Sequence, residues 1–221
     1  MAEFASDAAP AAEPAPVAEP APAPDAPADA PAAAAPAVLV ARTLLANGLE
    51  FSVHRCPRTL LRELAHVFPG QGLLPARGDA PAAEGACLAV PTCQHSAMDL
   101  VRWGDEVEKE KDLCLERFAA FGAAVCAELR AAGHWADYID PCSGLPMLTQ
   151  GQNSKVYDEV TGMQLLLRFA TQNAGCCKVL LHPQWGAAVY PATLFTTAPF
   201  EQLQAVLARF PVDPAAASVG A

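Results

Sequence analysis

Between Ala97 and Ala132 the apolar residues Leu100, Trp103, Val107, Cys114, Phe118, Phe121, Val125 and Leu129 recur every three or four positions. That period places them on one stripe of an α-helix, so any fold must give the stripe a surface to pack on. Ser96 is a candidate N-cap, with Asp99 three residues on, and Gly133 suits the C-terminal end. Glu106, Glu108, Lys109, Glu110, Lys111 and Asp112 form the wet face.

The segments around this helix read as a mixture of strands and shorter helices. Val38–Arg42 and Phe51–Arg55 are expected strands, with Asn47-Gly48 as the turn between them. Pro57 suits the first turn of a helix carrying Leu60, Leu61, Leu64 and Val67, which Pro69-Gly70 ends. Residues 69–85 are rich in Gly, Pro and Ala and read as a loop. Further strands are expected at Cys87–Val90, His134–Asp140, Cys176–His182 and Ala187–Thr196, and a last helix at Phe200–Phe210. No regular βαβ alternation is visible. The expected class is α+β, a single domain over 37–212 with a mostly antiparallel sheet and a long central helix. Residues 213–221 read as a flexible end.

Residues 1–36 are mostly Ala, Pro and acids, with six acids and no Lys or Arg. Proline removes helix donors, and such a composition cannot build a core, so a disordered tail is expected. A mitochondrial presequence would be Arg-rich and poor in acids. The remainder carries 14 bases against 18 acids. That surface repels phosphate, and nucleic acid is not an expected partner. No run reaches the ~18 apolar residues of a membrane helix. The eight cysteines include no CxxC pair, and no secretory signal accompanies them, which points to free thiols.

Three groups could carry chemistry. In Gly175-Cys176-Cys177-Lys178-Val179-Leu180-Leu181-His182, strand alternation puts Cys176, Lys178, Leu180 and His182 on one face. Cys177, Val179 and Leu181 share the other, wholly apolar face, so Cys177 is the expected core thiol and Cys176 the exposed one. A positive neighbour such as Lys178 favours the thiolate, which is both nucleophile and metal ligand. The competing reading is that both cysteines pack. In His134–Gly144, Trp135 and Tyr138 offer contact area. Asp137 and Asp140 read either as an acid–base pair or, more simply, as turn and strand-edge residues. Cys87, Cys93 and His95 suggest zinc, but their spacing fits no standard pattern and lacks a fourth ligand. His54, His66 and His134 read as surface or packing residues. No GxGxxG, P-loop or GxSxG motif occurs.

Three segments in order resemble the cobalamin-trafficking CblD family, the methylmalonic aciduria and homocystinuria type D family. They are Trp103–Glu110, Gly133–Gly144 with its WADYIDP core, and Gly175–Val179 followed by His182, Trp185 and Gly186. The resemblance covers residues 38 to 200. It implies a nitroreductase-like fold without flavin and without enzymatic activity. It also implies a CblC-type partner that presents cobalamin, and onward direction to methionine synthase or methylmalonyl-CoA mutase. The family's cobalt ligand corresponds to Cys176. Lys178 and His182 are expected to tune that thiolate, and Trp185, Trp135, Tyr138 and Asp140 to meet the partner. Cobalamin is expected to bind only with the partner, and no zinc or flavin is expected. The cytoplasm is the expected location, with the mitochondrion second. Residues 151–173, including Tyr157, Asp158 and Glu159, match the family loosely. The alternatives are a thiol-dependent or flavin reductase, or a zinc-binding scaffold.

Overall fold

A computed structural model describes residues 38–74, 87–149, 155–175 and 177–215. The expectations for residues 1–36, for most of the 69–85 loop and for the last residues lie outside them. Every described residue belongs to one compact unit, residues 35–221. The elements run β1 (Val38–Leu44), β2 (Leu49–Arg55), α1 (Arg58–Val67), β3 (Leu88–His95), α2 (Asp105–Ala131) and β4 (Ala136–Tyr138). They continue with α3 (Glu159–Leu167), β5 (Ala170–Ala174), β6 (Cys177–Leu181), β7 (Val189–Thr196) and α4 (Phe200–Leu207). Five strands form one sheet in the order β1-β2-β3-β7-β4, and β5-β6 form a separate two-stranded sheet. Every pairing is antiparallel. The α+β class therefore holds.

The sheet is covered on both faces, and strand alternation decides which residue goes where. Leu88 and Val90 of β3, with Ala192 and Leu194 of β7, face α2 and α4 and join Phe118, Phe121, Val125, Leu129, Leu203 and Leu207 in one core. Ala89 and Phe195, one residue out of phase, face α1 through Leu60, Leu61 and Leu64. A third cluster holds Cys93, Met163, Phe169, Leu180 and Val189, which seats α3 and the β5-β6 hairpin on the sheet.

Helix α2 is shorter than its sequence pattern. It starts at Asp105, because Gly104 has φ 144°, outside the helical region. Ser96 and Asp99, the expected cap residues, instead close local turns by accepting from the N–H groups of Met98 and Val101 at 3.1 Å. Short polar side chains often satisfy nearby backbone in this way. Leu100 and Trp103 thus leave the stripe, and Trp103 is 95% exposed. The other end behaves as expected. His134 N–H donates to Leu129 O and Gly133 N–H to Arg130 O, with Gly133 at φ 86°. These are the bonds of a Schellman cap.

Helix α3 and strand β5 were not expected from the sequence. Asp158 caps α3, accepting from Thr161 N–H at 3.1 Å and from its hydroxyl at 2.7 Å. An Asp followed three residues later by a polar residue was the available signal. Buried Tyr157 folds back over this helix, so a Cβ at Gly162 would lie 1.7 Å from its hydroxyl oxygen. Gly162→Ala should therefore destabilise the protein by about 2 kcal/mol in urea unfolding, even though alanine is the better helix former. A stabilising Gly162→Ala would sink this account.

Candidate functional site

The hairpin β5-β6 carries the cysteine motif. Its register runs from Ala170 opposite Leu181 to Ala174 opposite Cys177. Gly175, at φ 63°, follows β5 in the left-handed conformation that glycine accommodates. Cys176 lies outside the described residues, and strand β6 starts at Cys177. The hairpin is tied to α3 by Gln164 Nε2, which donates to Thr171 Oγ1 at 3.0 Å.

The expected faces of β6 need correction. Leu180 and His182 are the buried residues, whereas Val179 and Leu181 are half-buried and Lys178 is exposed. The hairpin turns its Leu180 side onto Met163 and Phe169 of the third cluster. Apolar character alone misassigned the inward face, because Val179 lines a surface groove instead.

That groove, about 450 Å³, runs between the hairpin end and the loop before α2. Leu100, Val101, Arg102 and Trp103 form one wall, and Ala174, Gly175 and Val179 the other. Val101 is 41% exposed. Large exposed apolar side chains beside a groove are the usual mark of a contact surface.

His182 anchors the opposite end of the hairpin. Its Nδ1 accepts from the backbone N–H groups of Gln184 and Trp185 at 3.2 and 3.3 Å. Its Nε2 lies between two further groups, 3.1 Å from Arg42 Nη1 and 3.2 Å from Glu50 Oε1. Arg42 completes the group, 3.6 Å from Glu50. Trp185 stacks on the His182 ring at 3.9 Å, and Phe169 meets it edge-on at 5.1 Å. Since β6 is extended, His182 lies roughly 16 Å from Cys177 along the strand. Its nitrogens are engaged there, so it fixes the hairpin base rather than tuning a thiol at the other end.

The other expected contact residues are turned largely inward. Tyr138 is buried and packs edge-on against Phe118 at 5.8 Å. Trp135 is half-buried, edge-on to Phe68 at 4.9 Å, with its indole N–H donating to Thr149 Oγ1 at 3.3 Å. Asp140 closes the turn after β4, accepting from the N–H groups of Cys142 and Ser143 at 3.2 Å. Asp137 is fully buried and accepts from Tyr138, Leu148 and Thr149 N–H at 2.8, 2.9 and 2.5 Å. It is a structural acceptor, not half of an acid–base pair. The apolar period reads Trp103 as helical and inward, and so misses that it stands exposed beside the surface groove.

Burial sorts the remaining thiols. Cys56, Cys87, Cys93, Cys114 and Cys126 are buried, and Cys142 is exposed. Burial raises the pKa of Cys56, Cys93 and Cys114 and pushes Cys126 up to about 12. Such thiols stay protonated and inert. Cys87 and Cys93 sit roughly 20 Å apart along extended β3 and cannot share an ion. Among the described residues no group of three His, Cys, Asp or Glu side chains could hold a metal. No helix among them is long and apolar enough to cross a membrane. His54 is buried and bonded to Ser52 at 2.8 Å.

Residues 34–207 match the family described as methylmalonic aciduria and homocystinuria type D protein. Among curated proteins, the chain is 32% identical over 150 residues to the human cobalamin trafficking protein CblD, covering 68% of this chain and 47% of that protein. The mouse and chicken proteins of the same name are each 31% identical over 150 residues, with the same coverage. The chain thus spans about half the length of the curated relatives it matches. On the extent of the family match and the level of these identities, the chain belongs to the methylmalonic aciduria and homocystinuria type D protein family.

Proposed function

We propose that this protein is a non-enzymatic adaptor for cobalamin that binds a CblC-type partner and ligates the cobalt of its cargo through Cys176. The observation that carries the reading is the apolar groove between Trp103 and Gly175, a contact surface immediately beside the cysteine motif. The trafficking names of the relatives agree with it. Thiolate is a soft ligand suited to low-valent cobalt. Of the described cysteines only Cys142 is exposed, which leaves few thiols able to serve. Exposed Lys178 favours the ionised form of a thiol near it. One thiolate offers no hold on the corrin ring, so cargo binding requires the partner. The cofactor then passes to methionine synthase or methylmalonyl-CoA mutase. We place the exchange in the cytoplasm, with the mitochondrion as a second site, and expect the nitroreductase-like topology without flavin.

The test is the absorbance of reduced cobalamin mixed with this protein and the partner. A thiolate–cobalt band should form with wild type, Cys177→Ser and Cys142→Ser, and vanish with Cys176→Ser. An unchanged band in Cys176→Ser overturns the ligand assignment. In the same mixture Trp103→Ala should weaken partner binding tenfold or more, as loss of a central aromatic anchor does. Because Trp103 is 95% exposed, the thermal midpoint should not move.

A further inference from the structure

A second cavity lies at the opposite end of β6 from the cysteine motif. It holds about 700 Å³ and is bounded by β1, β2, the end of α3 and the residues that follow β6. Leu166, Phe169 and Leu181 give it an apolar wall, and Arg42 and Arg168 also line it. No acidic side chain lines it among the described residues.

Two polar side chains of this cavity have donors that the fold does not use. His54 is 2% exposed, and its Nε2 pairs with Ser52 Oγ at 2.8 Å. Its Nδ1 is buried without a hydrogen-bond partner. Burial lowers the His54 pKa to about 4, so the ring is neutral at pH 7. A serine hydroxyl can donate to Nε2, which leaves the ring hydrogen on Nδ1 as a donor. An orphaned buried polar atom lowers stability, and a ligand that completes it removes that penalty.

The second feature is Arg168. It is the one non-glycine with a left-handed backbone among the described residues, at φ 58°. It enters none of their salt bridges. It is the left-handed C-cap of α3, its N–H donating to Gln164 O at 3.2 Å, and as an exposed residue its side chain is free to meet a ligand. Arg42, by contrast, is already shared with Glu50 and lies 5.7 Å over the Phe169 ring.

We propose that this cavity binds an amphipathic organic monoanion, with an apolar body on Leu166, Phe169 and Leu181 and a carboxylate received by Arg168, Arg42 and the Nδ1–H of His54. Calorimetric titration of the full chain with decanoate, below its micelle concentration, tests it against neutral decan-1-ol. Decanoate should bind with a dissociation constant near or below roughly 100 μM, the range open to a ligand of that size. Decan-1-ol should bind at least tenfold more weakly. Arg168→Ala should lose about tenfold for decanoate and nothing for the alcohol, and Arg168→Lys should recover part of it. Ala41→Trp, on an exposed position of the cavity wall, should abolish binding of both while the melting temperature stays put. The His54 Nδ1 resonance should shift on adding decanoate. Equal binding of acid and alcohol, an unaffected Arg168→Ala, or no decanoate binding at 1 mM (about ten times the expected constant) each overturns the proposal.

Discussion

Asp137→Ala should lower stability by about 4 kcal/mol, a large share of what a domain of this size has. The carboxylate is wholly buried and receives three backbone N–H groups, those of Tyr138, Leu148 and Thr149. Hydrogen bonds to a charged acceptor are worth about 1.5–3 kcal/mol each, and an abandoned buried donor carries its own desolvation penalty. The 146–149 segment would also lose its tie to β4, where Met147 N–H still donates to Tyr138 O. Urea unfolding at pH 7 checks this. Asp137→Asn keeps one acceptor oxygen but turns an amide N–H₂ towards a donor, so it should fall between wild type and alanine. A loss under about 1 kcal/mol for Asp137→Ala would show that water replaces the carboxylate.

The second large effect has the opposite sign. Glu159→Gln should stabilise the protein at neutral pH. Glu159 as a residue is partly exposed, but its carboxylate is not: Oε2 is buried and has no hydrogen-bond partner. Burial, reinforced by the neighbouring Asp158 charge and opposed by Thr193, raises the Glu159 pKa from 4.5 to about 8. A raised carboxyl pKa means the folded state keeps a proton that the unfolded chain has released. Stability therefore falls as pH rises from 4.5 and levels off above about 8. At pH 7 the accumulated penalty is about 3 kcal/mol. Glutamine keeps an acceptor for the Thr193 hydroxyl, which donates to Glu159 Oε1, and does not titrate. Wild type and Glu159→Gln should have similar midpoints near pH 4.5 and diverge towards pH 8. Parallel curves across that range would mean the carboxylate is solvated.

What the sequence made legible follows its physics. β1, β2, α1, the body of α2, β7 and α4 announce themselves, because periodic apolar residues there meet unambiguous turn residues such as Asn47-Gly48 and Gly133. The start of α2 was misread because Ser96 and Asp99 serve local turns as readily as helix caps. Glycine at 104 was the better stop signal. α3 was passed over because Leu165, Leu166 and Leu167 run together without a period. Leu180 and His182, rather than Val179 and Leu181, lie inward because a strand on a small hairpin can turn either side inward, and only packing on Met163 and Phe169 chooses. The motif Gly175–His182 was visible as a unit. That its histidine grips Glu50, 132 residues away in sequence, was not, since no local pattern encodes so distant a pairing.

The two margins of the five-stranded sheet bear on what this protein does in a crowded solution. At one margin β1 departs from regular register with β2 twice, between Val38 and Val40 and between Val40 and Thr43. At the other, β4 is three residues long, and the 146–149 segment bonds along it through Ile139, Tyr138 and Asp137. A long, flat, unpaired strand invites another chain to add to it, while bulged or covered strands do not. Self-association by strand addition is disfavoured at both margins. Under the proposed adaptor role, recognition falls to side chains such as Trp103, which would discriminate between partners where an open backbone ladder would accept almost any extended chain.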